Sequence, residues 1–185
     1  MIDLLLLSVA LAMDSMAVSI VNGIKYQNYG YRETFIASFS FGFFQGFMPL
    51  LGYLIFTPFL PYIEKYDHWV VLLALGAIGI NMIRESFEKE EIREKSSQFT
   101  YKILFAESIA TAIDALSSGI VLPEFPVSPY VSCFVIFLIT FLICMIAHRL
   151  GKRIALILKD KATLCGGIIL ILLGIKTVLE HLGIL

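Results

Sequence analysis

The sequence predicts an all-α membrane protein of six transmembrane helices, arranged as two inverted three-helix repeats. Three observations lead there. The 185 residues are 58% hydrophobic and 16% charged, with a mean hydropathy of +0.86; a soluble domain is about half apolar and about a quarter charged. Six apolar stretches, each near the roughly 20 residues that cross a bilayer, fill most of the chain. Two polar patterns recur about half a chain apart.

The expected spans are 3–24, 34–57, 68–87, 101–122, 129–148 and 163–184. They leave little chain for a soluble domain. The first has Asp3 and no Lys or Arg before Lys25, so it lacks the positive start of a signal peptide and reads as a retained span. Cys133, Cys144 and Cys165 lie in or beside apolar spans without CxxC spacing and read as small buried hydrophobes.

Charge sets the expected orientation. Lys25 and Arg32 fall in the first loop. Arg84, Lys89, Arg93, Lys95 and Lys102 fall in the third, and Arg149, Lys152, Arg153, Lys159 and Lys161 in the fifth. That is twelve of the fourteen Lys and Arg residues. The positive-inside rule then places these loops in the cytoplasm and both termini outside. Trp69, Tyr62 and Tyr66 suit the outer interface, and Tyr26, Tyr29 and Tyr31 the inner one. The mixed-charge run 88–95 reads as a solvated linker. The expected division is residues 1–87 as the first repeat, 88–100 as a cytoplasmic linker and 101–185 as the second repeat.

The repeat rests on shared polar positions. Residues 12–20, AMDSMAVSI, align without a gap on 112–120, AIDALSSGI. The end of span three, Gly79-Ile80-Asn81 through Glu85, matches Gly174-Ile175-Lys176 through Glu180. Leu51-Gly52 and Leu150-Gly151 relate spans two and five more weakly. Three spans per copy make the second copy enter from the opposite face. Inverted repeats are a signature of secondary transporters, with the site at the midplane between copies.

That symmetry brings Asp14 and Asp114 to equivalent depths. A central Asp in a membrane helix costs about 2.5–3.5 kcal/mol on insertion scales, so a symmetric pair calls for a role. A hard divalent cation such as Mn²⁺ favours carboxylate, carbonyl and water oxygens. Two close carboxylates without metal tend to hold a proton between them, which suggests metal-for-proton exchange. An Asp14–Lys176 or Asp114–Lys176 ion pair that only fixes helix packing is the plainer alternative.

Polar neighbours strengthen the functional reading. Glu107, Thr111, Asp114 and Ser118 are spaced to share one face of a continuous helix, a track starting on the cytoplasmic side. Ser8, Ser15, Ser19 and Asn22 share a face of span one beside Asp14. Such serines also serve close helix packing. Pro49 removes the helical donor for the Gln45 carbonyl, so Gln45 offers two oxygens at mid-membrane; a plain kink is the alternative. Asn81 and Lys176 occupy matching repeat positions, and Lys176 can neutralise the Asp pair when metal is absent. His68 and His181 belong to the outer boundary and His148 to the inner one. Glu85 and Glu180 read as interfacial.

These residues resemble the MntP-type manganese efflux pumps. The resemblance lies in AMDSMAVS and ATAIDALSSG, in FQGFMPLLG at 44–52, Asp67-His68-Trp69, GINMIRESF at 79–87 and the ending LEHLG at 179–183. It covers the whole chain in order. It implies a bacterial inner-membrane protein of six helices that exports Mn²⁺, with Asp14 and Asp114 as essential acids. Gln45, Asn81 and Lys176 are implied as supporting positions. The pattern departs at Asn81, where a Lys or Arg is expected, at Ser117-Ser118, which replace an Ala-Val pair, and at Glu107.

The expected function is therefore secondary-active export of divalent manganese, with Asp14, Asp114 and Gln45 as metal ligands. Glu107, Thr111, Ser118, Ser15, Asn81 and Lys176 are the expected transport-path or proton-coupling residues. Mn²⁺ is substrate, no cofactor is expected, and the partners are a divalent metal ion and the lipid bilayer, without nucleic acid. The alternatives are an exporter of another divalent cation or solute, or an intramembrane aspartyl protease. The protease would want a Gly-x-Gly-Asp stretch, which neither aspartate has. No Walker-type phosphate loop appears, so ATP drive is not expected.

Overall fold

The computed structural model describes residues 1–26, 30–55, 67–87, 100–158 and 162–181. Among these residues all regular structure is helical: α1 (Ile2–Lys25), α2 (Tyr31–Leu54), α3 (Asp67–Ser86), α4 (Tyr101–Ala110), α5 (Pro129–Leu158) and α6 (Ala162–His181). Two 3-10 segments, Asp114–Ile120 and Leu122–Glu124, follow α4. Residues 88–99 of the expected linker, Tyr29, Tyr62, Tyr66, Lys159 and Lys161 lie outside the described residues, as do the side chains of His68, Glu85, Glu180 and His181.

Local signals account for the helix ends. Asp3 in the first turn of α1 and Lys25 in its last complement the helix dipole. At the start of α2 the Glu33 carboxylate accepts the Gly30 N–H at 2.8 Å, satisfying one donor of the open helix end. Pro49 lies inside α2, yet the helix runs on to Leu54. The 30 residues of α5 make it roughly 45 Å long, so it continues well past the expected end at 148 and carries Arg149, Lys152 and Arg153 beyond its apolar stretch.

The fourth expected span differs most. It is not one helix over 101–122. The α-helix ends at Ala110 and the chain resumes as 3-10 at Asp114, bent by 43°. The cause is side-chain competition for backbone carbonyls. Thr111 Oγ1 donates to the Glu107 carbonyl at 3.0 Å, while Ser117 and Ser118 donate to the carbonyls three residues back, Asp114 and Ala115, each at 2.7 Å. The backbone tightens accordingly, with Ala112 N–H on Ile109 and Leu116 N–H on Ile113. The face drawn through Glu107, Thr111, Asp114 and Ser118 is thus interrupted after Thr111.

By length and composition α1, α2 and α5 can each cross a membrane, and α4 with its 3-10 continuation makes a fourth candidate. The apolar stretches described in α3 and α6 are shorter, Leu75–Arg84 and Leu164–Lys176. The perimeter is apolar, with Leu6, Phe35, Leu73, Ile80, Phe134, Ile146 and Leu172 exposed, whereas Ser15, Asn22, Gln45, Glu107 and Thr111 are buried. Such an inside-out distribution suits a lipid surrounding.

Helix α1 lies along α5, α3 along α6, and α2 against both α5 and the 3-10 segment. Two seams allow backbone-close approach. At Gly23 a Cβ would collide with the His148 carbonyl, and at Gly52 with the Leu116 carbonyl. Their facing partners are Gly151 and Gly119. Small residues at such crossings let helices pack in a membrane. An apolar cluster of Leu4, Leu122, Cys133 and Ile136 fills one end of the molecule, and Ile24 and Ala155 pack at the other. Between them Val18, Phe41, Leu75, Met82 and Leu170 form the main core. Cys133 and Cys144 are buried free thiols.

Candidate functional site

The buried face of α1 organises the site. Ser8, Ser15, Ser19, Asn22 and Lys25 are buried along it, and Asp14 sits at its edge, with 24% of its side chain exposed. Ser15 is the node. Its Oγ lies 3.2 Å from Gln45 Oε1 on α2 and 3.2 Å from Thr111 Oγ1 at the end of α4. Three elements therefore meet at one hydroxyl. Gln45 is fully buried, and among the described residues its Nε2 has no hydrogen-bond partner. A half-turn of this amide exchanges its ends, so either the donor or the acceptor can face Ser15.

The polar line continues from Thr111 towards the Lys25 end of α1. Glu107 is buried, and its Oε2 accepts the Asn22 Nδ2–H at 2.6 Å. Lys25 is close enough to act electrostatically on that carboxylate. Ser108, on the same turn, shares a 2.8 Å hydrogen bond with Ser40 of α2. The order Lys25, Asn22 with Glu107, Thr111, Ser15 with Gln45 forms a polar chain inside an apolar shell.

Asp114 opens the 3-10 segment, three residues after Thr111, and its Oδ1 is buried. Asp14 turns to α6, where Lys176 Nζ stands 4.0 Å from its Oδ1, at the limit of an ion pair. Among the described residues no group of three or more His, Cys, Asp or Glu side chains could hold a metal. The node itself offers amide, hydroxyl and carbonyl oxygens, with Asp14 adjoining Ser15 in the chain and Asp114 three residues after Thr111, and oxygens of these kinds suit a hard cation.

The structure thus brings together Ser15, Gln45, Thr111 and Glu107, and separately Asp14 and Lys176. It does not bring Ser118 into this network, because that hydroxyl bonds back to Ala115. Asn81 is exposed on α3. Asn22 is a member that the sequence placed on the right face without its partner, and the Ser40–Ser108 pair was not expected. His148, expected at the inner boundary, is fully buried within the protein, with Nδ1 at 3.1 Å from the Cys144 carbonyl.

Apolar helices around a buried polar core with carboxylates and a broken helix define a polytopic membrane transport protein. Comparison with known sequences carries this further. The family model described as "Putative manganese efflux pump" matches residues 28–178, and the chain belongs to that family. It is 40% identical to "Putative manganese efflux pump MntP" of Campylobacter hominis over 183 residues, 99% of this chain and 100% of that one. It is 41% identical to "Putative manganese efflux pump MntP 1" of Wolinella succinogenes, covering 98% and 99% of the two chains. The relative from Desulfitobacterium hafniense is 40% identical, covering 100% and 97%. No solved structure matches. The protein is accordingly an efflux transporter and not an enzyme, which removes the aspartyl-protease alternative.

Proposed function

We propose that this protein exports divalent manganese across the bacterial cytoplasmic membrane by secondary transport, with Asp14, Asp114 and Gln45 as the metal-binding residues. The observation that carries the proposal is the Ser15 node, which joins α1, α2 and the end of α4 directly beside Asp14 and three residues before Asp114. Manganese is cargo here and no resident cofactor is needed. Lys176 is the internal counter-ion: its ammonium at 4.0 Å balances Asp14 while metal is absent. With Asp14 balanced by Lys176, Asp114 is the carboxyl that gives up a proton as the cation binds, which makes exchange for protons the natural coupling. Glu107 with Asn22 and Lys25 forms the cytoplasmic approach to the site.

The same proposal includes six spans in two inverted repeats, residues 1–87 and 101–185 around a cytoplasmic linker at 88–100. One pair of contacts supports the repeat. A Cβ on Gly79 would meet Gly167, and one on Gly174 would meet Leu72. The alignment that pairs Gly79 with Gly174 also pairs Leu72 with Gly167, so each contact is the other after exchange of the copies. The Gly52–Gly119 and Gly23–Gly151 seams correspond in the same way, displaced by one helical turn. The charge bias of the loops supports placing both termini outside.

The test is metal accumulation in cells lacking their own exporter, with and without this chain, across Mn, Fe, Co, Zn and Cd. Manganese content should fall when the chain is present. Asp14→Asn and Asp114→Asn should each abolish that fall while the protein remains inserted. Equal accumulation of every metal with and without the chain would sink the export reading, and full protection by either variant would sink the site.

A further inference from the structure

A second site lies at the seam of α2 and α5, away from the aspartates. A cavity of about 370 Å³ is lined there by Gly30, Tyr31 and Thr34 from the start of α2 and by Arg149, Lys152 and Arg153 from the far part of α5. Among the described residues its lining holds three cations and no carboxylate. Glu33, the nearest acidic group in sequence, is held on the Gly30 N–H and is not part of the lining. Arg149 lies over the Tyr31 ring at 5.6 Å, which fixes its guanidinium at the cavity edge. The first turn of α2 also borders the cavity, its Gly30 N–H already taken by Glu33, so the three side-chain cations carry the positive charge. Three cations around one cavity are the chemistry that suits a phosphate-type anion.

The surface next to the cavity identifies the rest of the ligand. Met145, one turn before Arg149, lines the same cavity. Along α2, Phe35, Phe39, Phe43 and Phe47 are exposed and stack in sequence, with centroids 6.4, 6.3 and 5.4 Å apart. From α5, Phe141 meets Phe35 edge-on at 5.4 Å and Phe137 meets Phe39 at 5.6 Å. The aromatic wall begins one residue after Thr34, so the basic cavity and an apolar wall share one seam. Basic pockets between helices on the cytoplasmic side are suited to anionic lipid headgroups.

We propose that this seam binds an anionic phospholipid, its phosphate in the Arg149–Lys152–Arg153 cavity and its acyl chains along the phenylalanine wall. The leaflet follows from the orientation proposed above and is the inner one. The binding itself does not depend on what the protein exports.

The test uses the full chain purified in a nonionic detergent, with bound lipid counted by native mass spectrometry. Phosphatidylglycerol and phosphatidylcholine of identical chains are titrated separately. Phosphatidylglycerol should be retained at concentrations roughly tenfold lower or more, given several basic contacts. The triple variant Arg149→Gln, Lys152→Gln, Arg153→Gln should remove the difference, while Lys102→Gln, at the start of α4, should keep it. If the triple variant does not insert, Arg149→Gln and Arg153→Gln are compared singly, each expected to weaken phosphatidylglycerol by roughly fivefold. Equal retention of the two lipids, or unchanged retention in the cavity variants, would overturn the proposal. Displacement of the lipid by millimolar inorganic phosphate would also overturn it, because the chains would then contribute nothing. Manganese export by the same variants separates this proposal from the transport reading, since loss of one leaves the other standing.

Discussion

Ser15 has one hydroxyl proton and two oxygen neighbours, Gln45 Oε1 and Thr111 Oγ1. It can donate to one at a time, and Thr111 can donate back or to the Glu107 carbonyl. A node that can redistribute its bonds is suited to a passing cation. At this scale Glu107 gives the sharpest variant. In Glu107→Gln the amide oxygen can still accept the Asn22 bond, so folding should be unchanged while the charge is lost. Manganese efflux from loaded vesicles should slow severalfold or more, with the same melting temperature; an unchanged rate would remove Glu107 from the pathway. Lys176→Gln should act in the opposite sense on binding. Without the competing ammonium the Asp14 site should hold manganese more tightly, lowering KM. Lys176 is 48% exposed, so the change should be no more than about fivefold. A raised KM would mean that Lys176 is not the counter-ion. The sequence placed Lys176 beside an aspartate because charge is rare in a span and must be balanced. It placed Asn81 there by repeat matching alone, and the short amide stays exposed on α3.

Among the elements, the long helices were legible to within a few residues at most ends, because apolar runs bounded by charge and tyrosine leave few alternatives. Span 3–24 became Ile2–Lys25 and 34–57 became Tyr31–Leu54. The break after Ala110 was not legible. No proline or glycine marks it before Gly119, and residues 101–112 read as helix. It arises from hydroxyls turning onto nearby carbonyls, an effect that depends on the local backbone more than on periodicity. The burial of His148 was not legible for a related reason: it adjoins Arg149, and only the close seam at Gly23 shows that its turn of α5 is covered. The seams themselves are testable. A methyl group at Gly119 has no room beside the Pro49 carbonyl and Tyr53 N. Gly119→Ala should destabilise by about 1–3 kcal/mol, as overpacking does. Gly76→Ala, where the new group meets nothing within 4 Å, should be neutral or gain up to about 1 kcal/mol from helix propensity. Thermal unfolding in detergent separates the two, and equal midpoints would count against a tight seam at Gly119.

For the whole molecule, the charge bias of the loops predicts both termini outside the cell. Alkaline phosphatase fused at the C-terminus should be active, and a fluorescent protein that matures only in the cytoplasm should stay dark there. The reverse pattern would invert the membrane topology and move the basic cavity to the outer leaflet. Composition made the membrane class legible, since 58% apolar residues in 185 leave no soluble core to propose. In the sequence, shared polar positions marked the two aspartates and Pro49 pointed to Gln45, while the pairing of Asn22 with Glu107 needed the relative rotation of α1 and α4.

The broken helix has a further consequence when set beside its counterpart. Residues 101–120 break near Asp114, whereas α1 passes Asp14 without interruption. If the two are copies of one design, a single molecule displays both shapes of that design at once. Exchanging the shapes would then give a second state facing the other way and built from equivalent contacts. Two such states lie close in free energy, and their ratio is set by whatever the copies do not share. Glu107 aligns with Leu7, Thr111 with Leu11 and Lys176 with Asn81. Ser15 aligns with Ala115 and Asn22 with Leu122, so the unmatched polar side chains are the weights on that balance.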